Sequence, residues 1–290
     1  MRYRRFGRTG WQISAVSLGG AYLMGPDPER ALEQTRAVVQ HAFALGINYL
    51  DTAPLYGKSE QLLGAALAGI DRPYYLATKV GFDPADFDYR RDSVLWSLER
   101  SCQRLGLNQL SVAQIHEVNL AGWERIMEPG GALEGLRAAQ KRGLCARIGI
   151  TGRAIPLLAR LADTGEFDTV LVYHDYHPCS QLAALEVIPA AHRQDLGIVV
   201  ATPLASGLFV EGEAQAKALA ALADAGEREQ ARQVLAQLHP LPGTLPQKAF
   251  RYLLADERVS TVSSGASTPA QLEEVALTAD MEPLDQPLFN

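Results

Sequence analysis

The sequence predicts an α/β protein folded as a closed (β/α)8 barrel, the TIM-barrel architecture, with an N-terminal β-hairpin capping the bottom. Three observations predict it. Short β-branched runs alternate with longer helical patterns, eight times over 290 residues. Strands separated by helices pair in parallel through right-handed crossovers, and eight such units fill a barrel of this length. The rival, an open doubly wound sheet, is expected to carry a GxGxxG turn after its first strand, and Leu18-Gly19-Gly20-Ala21-Tyr22-Leu23 does not supply one.

The elements follow in order. Residues Tyr3–Ser14, with Gly7 and Gly10 between short apolar pieces, read as the hairpin. Strands are expected at Val16–Gly19, Tyr49–Asp51, Tyr75–Lys79, Val112–His116, Ala146–Thr151, Thr169–Val172, Ile198–Ala201 and Val259–Ser263. Glu29–Leu45 places Val38, Val39, Ala42 and Leu45 on one stripe, and Asp92–Leu105 does the same with Leu95, Leu98, Cys102 and Leu105. Gly131–Arg142, Ile155–Asp163, Leu182–Arg193, Leu245–Ala255 and Pro269–Ala276 are the remaining helical patterns, and Glu211–Gln237 reads as helix with a loop. Gly46, Gly106 and Gly143 stand where helices end, in the left-handed position that glycine accepts. No low-complexity stretch divides the chain, so residues 1–290 read as one domain.

Composition narrows the function classes. Apolar residues make up 47% of the chain, enough for a sizeable core. The net charge of -6 and dispersed basic residues argue against a nucleic-acid partner, which needs a basic face. Cys102, Cys145 and Cys179 form no CxxC pair and read as free thiols of a reducing compartment. No apolar run is long enough to span a membrane, and the N-terminus lacks an export signal, so a cytoplasmic location is expected. Oligomeric state is not readable.

Barrel active sites lie at the C-terminal ends of the strands. That rule gathers Asp51 from strand 2, Tyr56 from the loop after it, Lys79 from strand 3 and His116 from strand 4. A phenol has a pKa near 10, and a nearby ammonium lowers it by favouring the phenolate. Asp51 is expected to hold Lys79 in place and charged. His116 is placed to donate a hydrogen bond to a substrate carbonyl, and Tyr56 to exchange a proton with the alkoxide or alcohol. Each residue alone has a packing role as its ordinary explanation; their conjunction at one rim is the signal.

These residues resemble the aldo-keto reductase family. Gly46-Ile47-Asn48-Tyr49-Leu50-Asp51-Thr52-Ala53-Pro54-Leu55-Tyr56-Gly57 is close to its GxNxxDTAxxYG signature. Ser59-Glu60-Gln61-Leu62-Leu63-Gly64, Ala77-Thr78-Lys79 and Gln114-Ile115-His116 match three further motifs, and the likeness runs from Tyr3 to about Ala276. The resemblance implies a (β/α)8 barrel, a small carbonyl or sugar substrate and a catalytic tetrad that falls on Asp51, Tyr56, Lys79 and His116. It also implies a nicotinamide cofactor across the barrel top. The residues expected to bind it are Gly19, Thr151, Tyr173, Thr202, Pro203, Leu204, Ser206, Leu208, Gly265, Ala266, Ser267, Gln271 and Glu274.

The departures from the family pattern lie in this cofactor half. Ser-Asn after strand 5 is here Thr151-Gly152, the strand-6 glutamine is Tyr173, and the stacking tyrosine of strand 7 is Ala201. Gly265 and Gln271 replace the Lys and Arg of NADP-binding relatives, and no Lys or Arg occurs between Val262 and Asp280. A 2′-phosphate needs such cations, so NAD is the expected cofactor, with NADP possible.

Ile148-Gly149-Ile150-Thr151-Gly152, Phe87-Asp88-Tyr89 and Thr202-Pro203-Leu204-Ala205-Ser206-Gly207-Leu208 resemble the branch that includes L-galactose dehydrogenase and D-threo-aldose 1-dehydrogenase. That branch implies oxidation of an aldose at C1 to its lactone with NAD. Reduction or oxidation of aldehydes, ketones or pyridoxal is the alternative within the family. Tyr22 and Trp123 are the expected substrate-pocket residues beside Tyr56 and His116. The ten residues after Asp280 are expected to cover the pocket only partly.

Two readings of other classes use the same residues. A Schiff-base aldolase would need a neutral Lys79, which Asp51 opposes. A cofactor-binding regulatory subunit with little turnover has no need of a complete tetrad. His174 and His177 stand three residues apart with Asp175 between them, a ligand-like spacing, but no further ligand is evident in the sequence, so no metal site is assigned.

Overall fold

The structure, a computed structural model, describes residues 1–24, 27, 29–83 and 86–284. β1 (Tyr3–Arg5) and β2 (Gln12–Ser14) form an antiparallel hairpin. Eight strands close into a parallel barrel: β3 (Val16–Gly19), β4 (Tyr49–Asp51), β5 (Tyr75–Val80), β8 (Leu110–Ile115), β9 (Cys145–Gly152), β10 (Thr169–Tyr173), β11 (Gly197–Ala201) and β12 (Thr261–Ser264). β12 pairs back onto β3 and completes the ring. β6 (Phe82–Asp83) and β7 (Asp86–Phe87) make a small ribbon beyond β5.

Helices α1 (Ala31–Ala44), α2 (Ser59–Leu67), α3 (Arg91–Leu105), α4 (Val118–Met127), α5 (Ala132–Lys141) and α6 (Ile155–Asp163) cover the first part of the barrel. α7 (Leu182–Leu185), α8 (Val187–Arg193), α9 (Glu213–Ala221), α10 (Ala225–Leu238), α11 (Leu245–Leu254) and α12 (Pro269–Ala276) follow. No helix among the described residues is long and apolar enough to cross a membrane.

The two-residue period of a strand explains how one sequence builds both core and site. One parity of each strand, Leu50, Ala113, Ile150, Val172 and Val200 among them, faces the helices in a continuous apolar layer. The other parity faces the barrel axis. Its lower layer is apolar: Tyr49, Ala77, Val112, Leu171 and Val199 cluster with Phe6 and Ile13 of the hairpin. Two residues further along the same strands the inward positions become Asp51, Lys79, Gln114, Tyr173 and Ala201. Register pairs Asp51 with Ala77 and Lys79 with Gln114, so the polar positions follow the stagger of the strands around the rim.

The hairpin seals the bottom. The Phe6 ring meets Tyr49 edge-on, 5.2 Å between centroids, and fills the space over Gly197. A Cβ at Gly197 would lie 2.3 Å from that ring, so only glycine fits there. Arg4 ties the hairpin to the loop before β12 through the carbonyls of Leu254, Asp256 and Val259.

Several elements differ from expectation. His116 lies one residue past β8, although its N–H still bonds Val80 O at 2.9 Å. The last strand starts at Thr261, two residues later than expected. The pattern over Leu182–Arg193 is two helices broken at Glu186, φ −124° and ψ −56°. Pro189 lacks the N–H that would bond Leu185 O, so a continuous helix would lose a bond there. α2 and α4 are additions, and α4 is itself broken at Gly122, φ 75°. Glu211–Gln237 resolves into α9 and α10, the latter capped by Asp224 accepting from Gly226 N and Glu227 N. Of the tail expected to flank the pocket, residues 285–290 lie outside the described residues.

Candidate active site

At the C-terminal rim the inward polar layer forms one connected group. Lys79 Nζ donates to Asp51 Oδ2 at 2.5 Å and to Thr52 O at 2.9 Å. It also interacts electrostatically with the Tyr56 hydroxyl, and it sits 4.8 Å from that ring's centroid. The other Asp51 oxygen accepts from Gln114 Nε2 at 2.9 Å. The Tyr56 and His116 rings stand edge to face, 6.0 Å apart. Structure thus brings Asp51, Tyr56, Lys79 and His116 together from β4, the loop after it, β5 and the end of β8. Gln114 belongs with them and was not expected. Its signal was parity, since it shares the inward face of β8 with Val112 and His116.

The loop that carries Tyr56 is pinned at both ends. Ser59 Oγ donates to Gly20 O at 2.8 Å and lies 2.8 Å from Thr52 Oγ1. Glu60, 1% exposed, accepts from Thr78 Oγ1 at 2.6 Å and from Arg104 Nε at 2.5 Å. The Ser-Glu pair after the tyrosine is therefore the anchor of α2 and its loop, not part of the chemistry.

Electrostatics assign protons. Burial penalises the Lys79 ammonium, but Asp51 and the Tyr56 hydroxyl outweigh it, and the lysine pKa is raised from 10.5. Burial raises the Tyr56 pKa and prevails over the opposing pull of Lys79. This corrects the expectation of a lowered phenol pKa: the ammonium is there, but desolvation is the larger effect. Burial and the Lys79 charge together push the His116 pKa well below 6.5, so its imidazole is neutral near pH 7. His116 Nδ1 is buried without a partner.

Glu117 lies beside His116, its Oε1 3.8 Å from His116 Nε2. Its carboxylate accepts from Tyr173 OH at 2.6 and 2.8 Å. Burial and this carboxylate raise the Tyr173 pKa, so the phenol keeps its proton and remains the donor. Tyr89 OH reaches the carbonyls of His116 and Glu117 at 2.8 and 3.1 Å and fixes the backbone there.

These groups open into a cavity of about 610 Å³. Of the residues expected to hold a cofactor, Gly19, Thr151, Tyr173, Thr202, Pro203, Leu204 and Ser206 line it, as do Gly265, Ala266, Ser267, Gln271 and Glu274. Thr151 Oγ1 is buried with no partner, the sort of orphan that a bound carboxamide satisfies. Thr202, Ala205 and Ser206 all have left-handed backbone, φ 56°, 46° and 54°, strain of the kind stored at ligand sites. The N–H groups of Ala205, Gly207 and Leu208 are taken by carbonyls of the same loop, so fewer remain for an anion than the sequence suggested. On this evidence the residues fit an extended nicotinamide cofactor.

Three placements differ from expectation. Leu208 does not line the cavity; it is buried with Phe209, Ala231 and Leu245 in a satellite core. Trp123 is also outside: the break at Gly122 turns it toward α6, where the Arg160 guanidinium lies 3.5 Å from its ring centroid. Tyr22 lines the cavity but on the β12 side, its ring covering Gly265, where an added Cβ would come within 2.8 Å. Of the possible metal ligands, Asp175 is held by Arg153 at 3.0 and 3.1 Å, and His177 Nδ1 accepts from Cys179 N at 3.2 Å. Among the described residues no three His, Cys, Asp or Glu side chains are grouped to hold a metal.

The family model described as aldo/keto reductase matches residues 15–289. The chain is 29% identical over 290 residues to L-galactose dehydrogenase of Arabidopsis thaliana, covering 97% of this chain and 89% of that protein. It is 27% identical over 304 residues to D-threo-aldose 1-dehydrogenase of a Pseudomonas species, covering 94% and 91%. Among solved structures, the holo form of an aldo-keto reductase from Bacillus halodurans superposes with a TM-score of 0.81 at 24% identity, over 98% of this chain and 93% of that one.

Proposed function

The chain belongs to the aldo/keto reductase family of NAD(P)-dependent oxidoreductases, and on that premise we propose that it oxidises a small aldose at C1 to the lactone, using NAD. The observation that carries this reading is the group of Asp51, Tyr56, Lys79 and His116 at one end of a cavity whose remaining wall suits a nicotinamide cofactor. Relatives over most of the chain's length that bear aldose dehydrogenase names support the substrate class.

The cofactor, when bound, supplies the hydride acceptor. The residues supply the rest. His116 and Tyr56 orient the C1 hydroxyl, His116 as a neutral hydrogen-bonding group. Tyr56, a phenol at rest, first gives up its own proton to solvent; the C1 hydroxyl proton then passes to the phenolate Oη as the C1 hydrogen leaves with its electron pair and the C1–O double bond of the lactone forms. The Lys79 ammonium stabilises the phenolate that receives the proton, and Asp51 keeps Lys79 charged. A charged Lys79 is not the nucleophile that a Schiff-base aldolase requires.

The raised Tyr56 pKa favours a second reading in the opposite direction. A phenol that keeps its proton near neutrality is the acid needed to protonate a carbonyl during reduction. Aldehydes, ketones and pyridoxal are its substrates.

NAD is favoured over NADP by the absence of Lys and Arg between Val262 and Asp280. The Tyr22 ring also covers Gly265, where a longer cationic side chain would otherwise project. The unpaired thiols of Cys102, Cys145 and Cys179 support a reducing, cytoplasmic setting. The test is a spectrophotometric screen of NAD and NADP with L-galactose, L-fucose, D-arabinose, pyridoxal and simple aldehydes. Turnover of an aldose with NAD supports the reading. A kcat/KM for NADP more than about tenfold above that for NAD, roughly 1.4 kcal/mol, removes the cofactor assignment.

A further inference from the structure

Glu117 enters the cavity beside His116, yet the proton and hydride steps make no use of it. Its placement is deliberate in energetic terms. The residue adopts φ 53°, a left-handed conformation uncommon outside glycine, and Tyr89 OH holds it there through the His116 and Glu117 carbonyls. Tyr173 OH donates its single proton to the carboxylate, which has about four lone-pair sites, so acceptor capacity remains on the cavity side. His116 Nε2, at 3.8 Å, is beyond hydrogen-bond distance.

Among the described residues no Lys or Arg forms an ion pair with it. Arg153 lies against the Tyr173 ring, 6.0 Å from its centroid, but directs its N–H groups to Asp175. The charged side chains lining the cavity among the described residues are Asp51, Lys79, Glu117 and Glu274. Lys79 and Asp51 pair with each other, which leaves Glu117 as the anion beside the reacting group that has no direct ion pair, the Arg153 charge acting on it only through space.

We propose that Glu117 is the specificity-determining carboxylate of the substrate pocket, accepting hydrogen bonds from the hydroxyls of a neutral polyhydroxylated substrate and rejecting substrates that carry phosphate or carboxylate. The proposal rests on the assignment of this cavity to a carbonyl or aldose substrate. Its two effects share one cause. A carboxylate forms strong charge-assisted bonds to hydroxyl donors, and a like charge brought near it is repelled.

The test compares glyceraldehyde with glyceraldehyde 3-phosphate, reduced with NADH by wild type and by Glu117→Gln. The carbon skeleton and the aldehyde are the same; the phosphate adds charge and bulk at C3, and because its bulk is the same for both proteins, the change in the substrate ratio between wild type and variant reads the charge. Glutamine keeps an oxygen for Tyr173 OH, so the pocket wall is preserved. Wild type is expected to favour the uncharged substrate in kcat/KM, and the preference is expected to fall by about tenfold or more in the variant. For an aldose turned over by wild type, the variant is expected to raise KM by roughly tenfold, more than it lowers kcat. Equal losses on both glyceraldehydes, with the ratio unchanged, would show that Glu117 only holds Tyr173 in place and overturn the proposal. Should wild type reduce glyceraldehyde but oxidise no aldose, the aldose assignment fails while the ratio still decides the role of Glu117. Turnover of no carbonyl or aldose at all overturns both.

Discussion

Removing the charge of Asp51 while keeping its shape isolates what holds the centre of the site together. In an Asp51→Asn variant the side-chain oxygen can still accept from Gln114, but Lys79, 1% exposed, loses the anion 2.5 Å from its ammonium. At an effective dielectric constant of about 20, unit charges at that separation attract by about 6–7 kcal/mol. Desolvation of both groups takes back much of this, and leaving one member of such a pair alone costs about 3–5 kcal/mol. The cost carries a pH signature. In wild type burial opposes the Lys79 charge, Asp51 and Tyr56 outweigh it, and the folded pKa is above the ordinary 10.5. That contribution to stability is complete below the unfolded value and fades only as pH rises through the folded one. In the variant, burial is left without its main opponent, and the folded pKa falls below the unfolded value. Between those two values the unfolded chain binds more protons, so the variant gains stability as pH rises. Urea unfolding at pH 6 and pH 9 measures this directly. The expected result is a penalty of about 3–5 kcal/mol at pH 6, smaller at pH 9 by about 1.4 kcal/mol for each pH unit between the lowered pKa and pH 9. A penalty below about 1 kcal/mol, or one equal at both pH values, would refute the reasoning, since it would fall outside the range for a stranded buried charge. The double variant Asp51→Asn/Lys79→Met, with no buried charge left, is expected to recover most of the stability while losing turnover.

Tyr56→Phe keeps the ring against His116 and removes only the proton carrier; kcat is expected to fall by about 10²–10⁴, and near-normal turnover would end the assignment. His116, neutral because burial and Lys79 push its pKa well below 6.5, must be charged to unfold in acid. Stability is therefore expected to fall between pH 7 and pH 5, by up to about 2 kcal/mol from this group, and the slope should flatten in His116→Gln. Parallel profiles for the two proteins would exclude that origin. Gly197→Ala puts a methyl group into the Phe6 ring and is expected to cost about 1–3 kcal/mol or more in denaturant unfolding, with KM unchanged because the site is at the other end of the barrel.

Much of this molecule is legible in its sequence because the barrel repeats one physical rule. Short β-branched runs alternating with helical patterns mark the eight strands, and the rule that barrel sites lie at strand C-terminal ends gathers Asp51, Tyr56, Lys79 and His116. What escaped notice lies where local pattern and tertiary context part. α2 is nine residues long, and its first turn is devoted to anchoring the Tyr56 loop, so its periodic stretch is brief. α4 is two short pieces joined at a positive-φ glycine, and the same break sends Trp123 away from the pocket where an aromatic seemed useful. Leu208 follows a loop full of site residues, yet its apolar side chain goes to the nearest core. Gln114 and Glu117 flank residues that were recognised, but a hydrogen bond to Asp51 and one from Tyr173 depend on distances across strands, which spacing along a strand does not report. The sign of the Tyr56 shift likewise depended on burial, which no neighbour list in sequence can supply.

The chain order of the site has a consequence for how such a protein can change. Asp51, Tyr56, Lys79, Gln114 and His116 all come from residues 51–116, whereas the loop after β11 and the segment before and within α12 come from residues 202–274. The two stretches meet at the cavity they share. On the proposed cofactor assignment, exchange of the later stretch is expected to change dinucleotide preference while Asp51, Tyr56, Lys79 and His116 stay in place, and mutations in the two stretches that share no contact should combine additively.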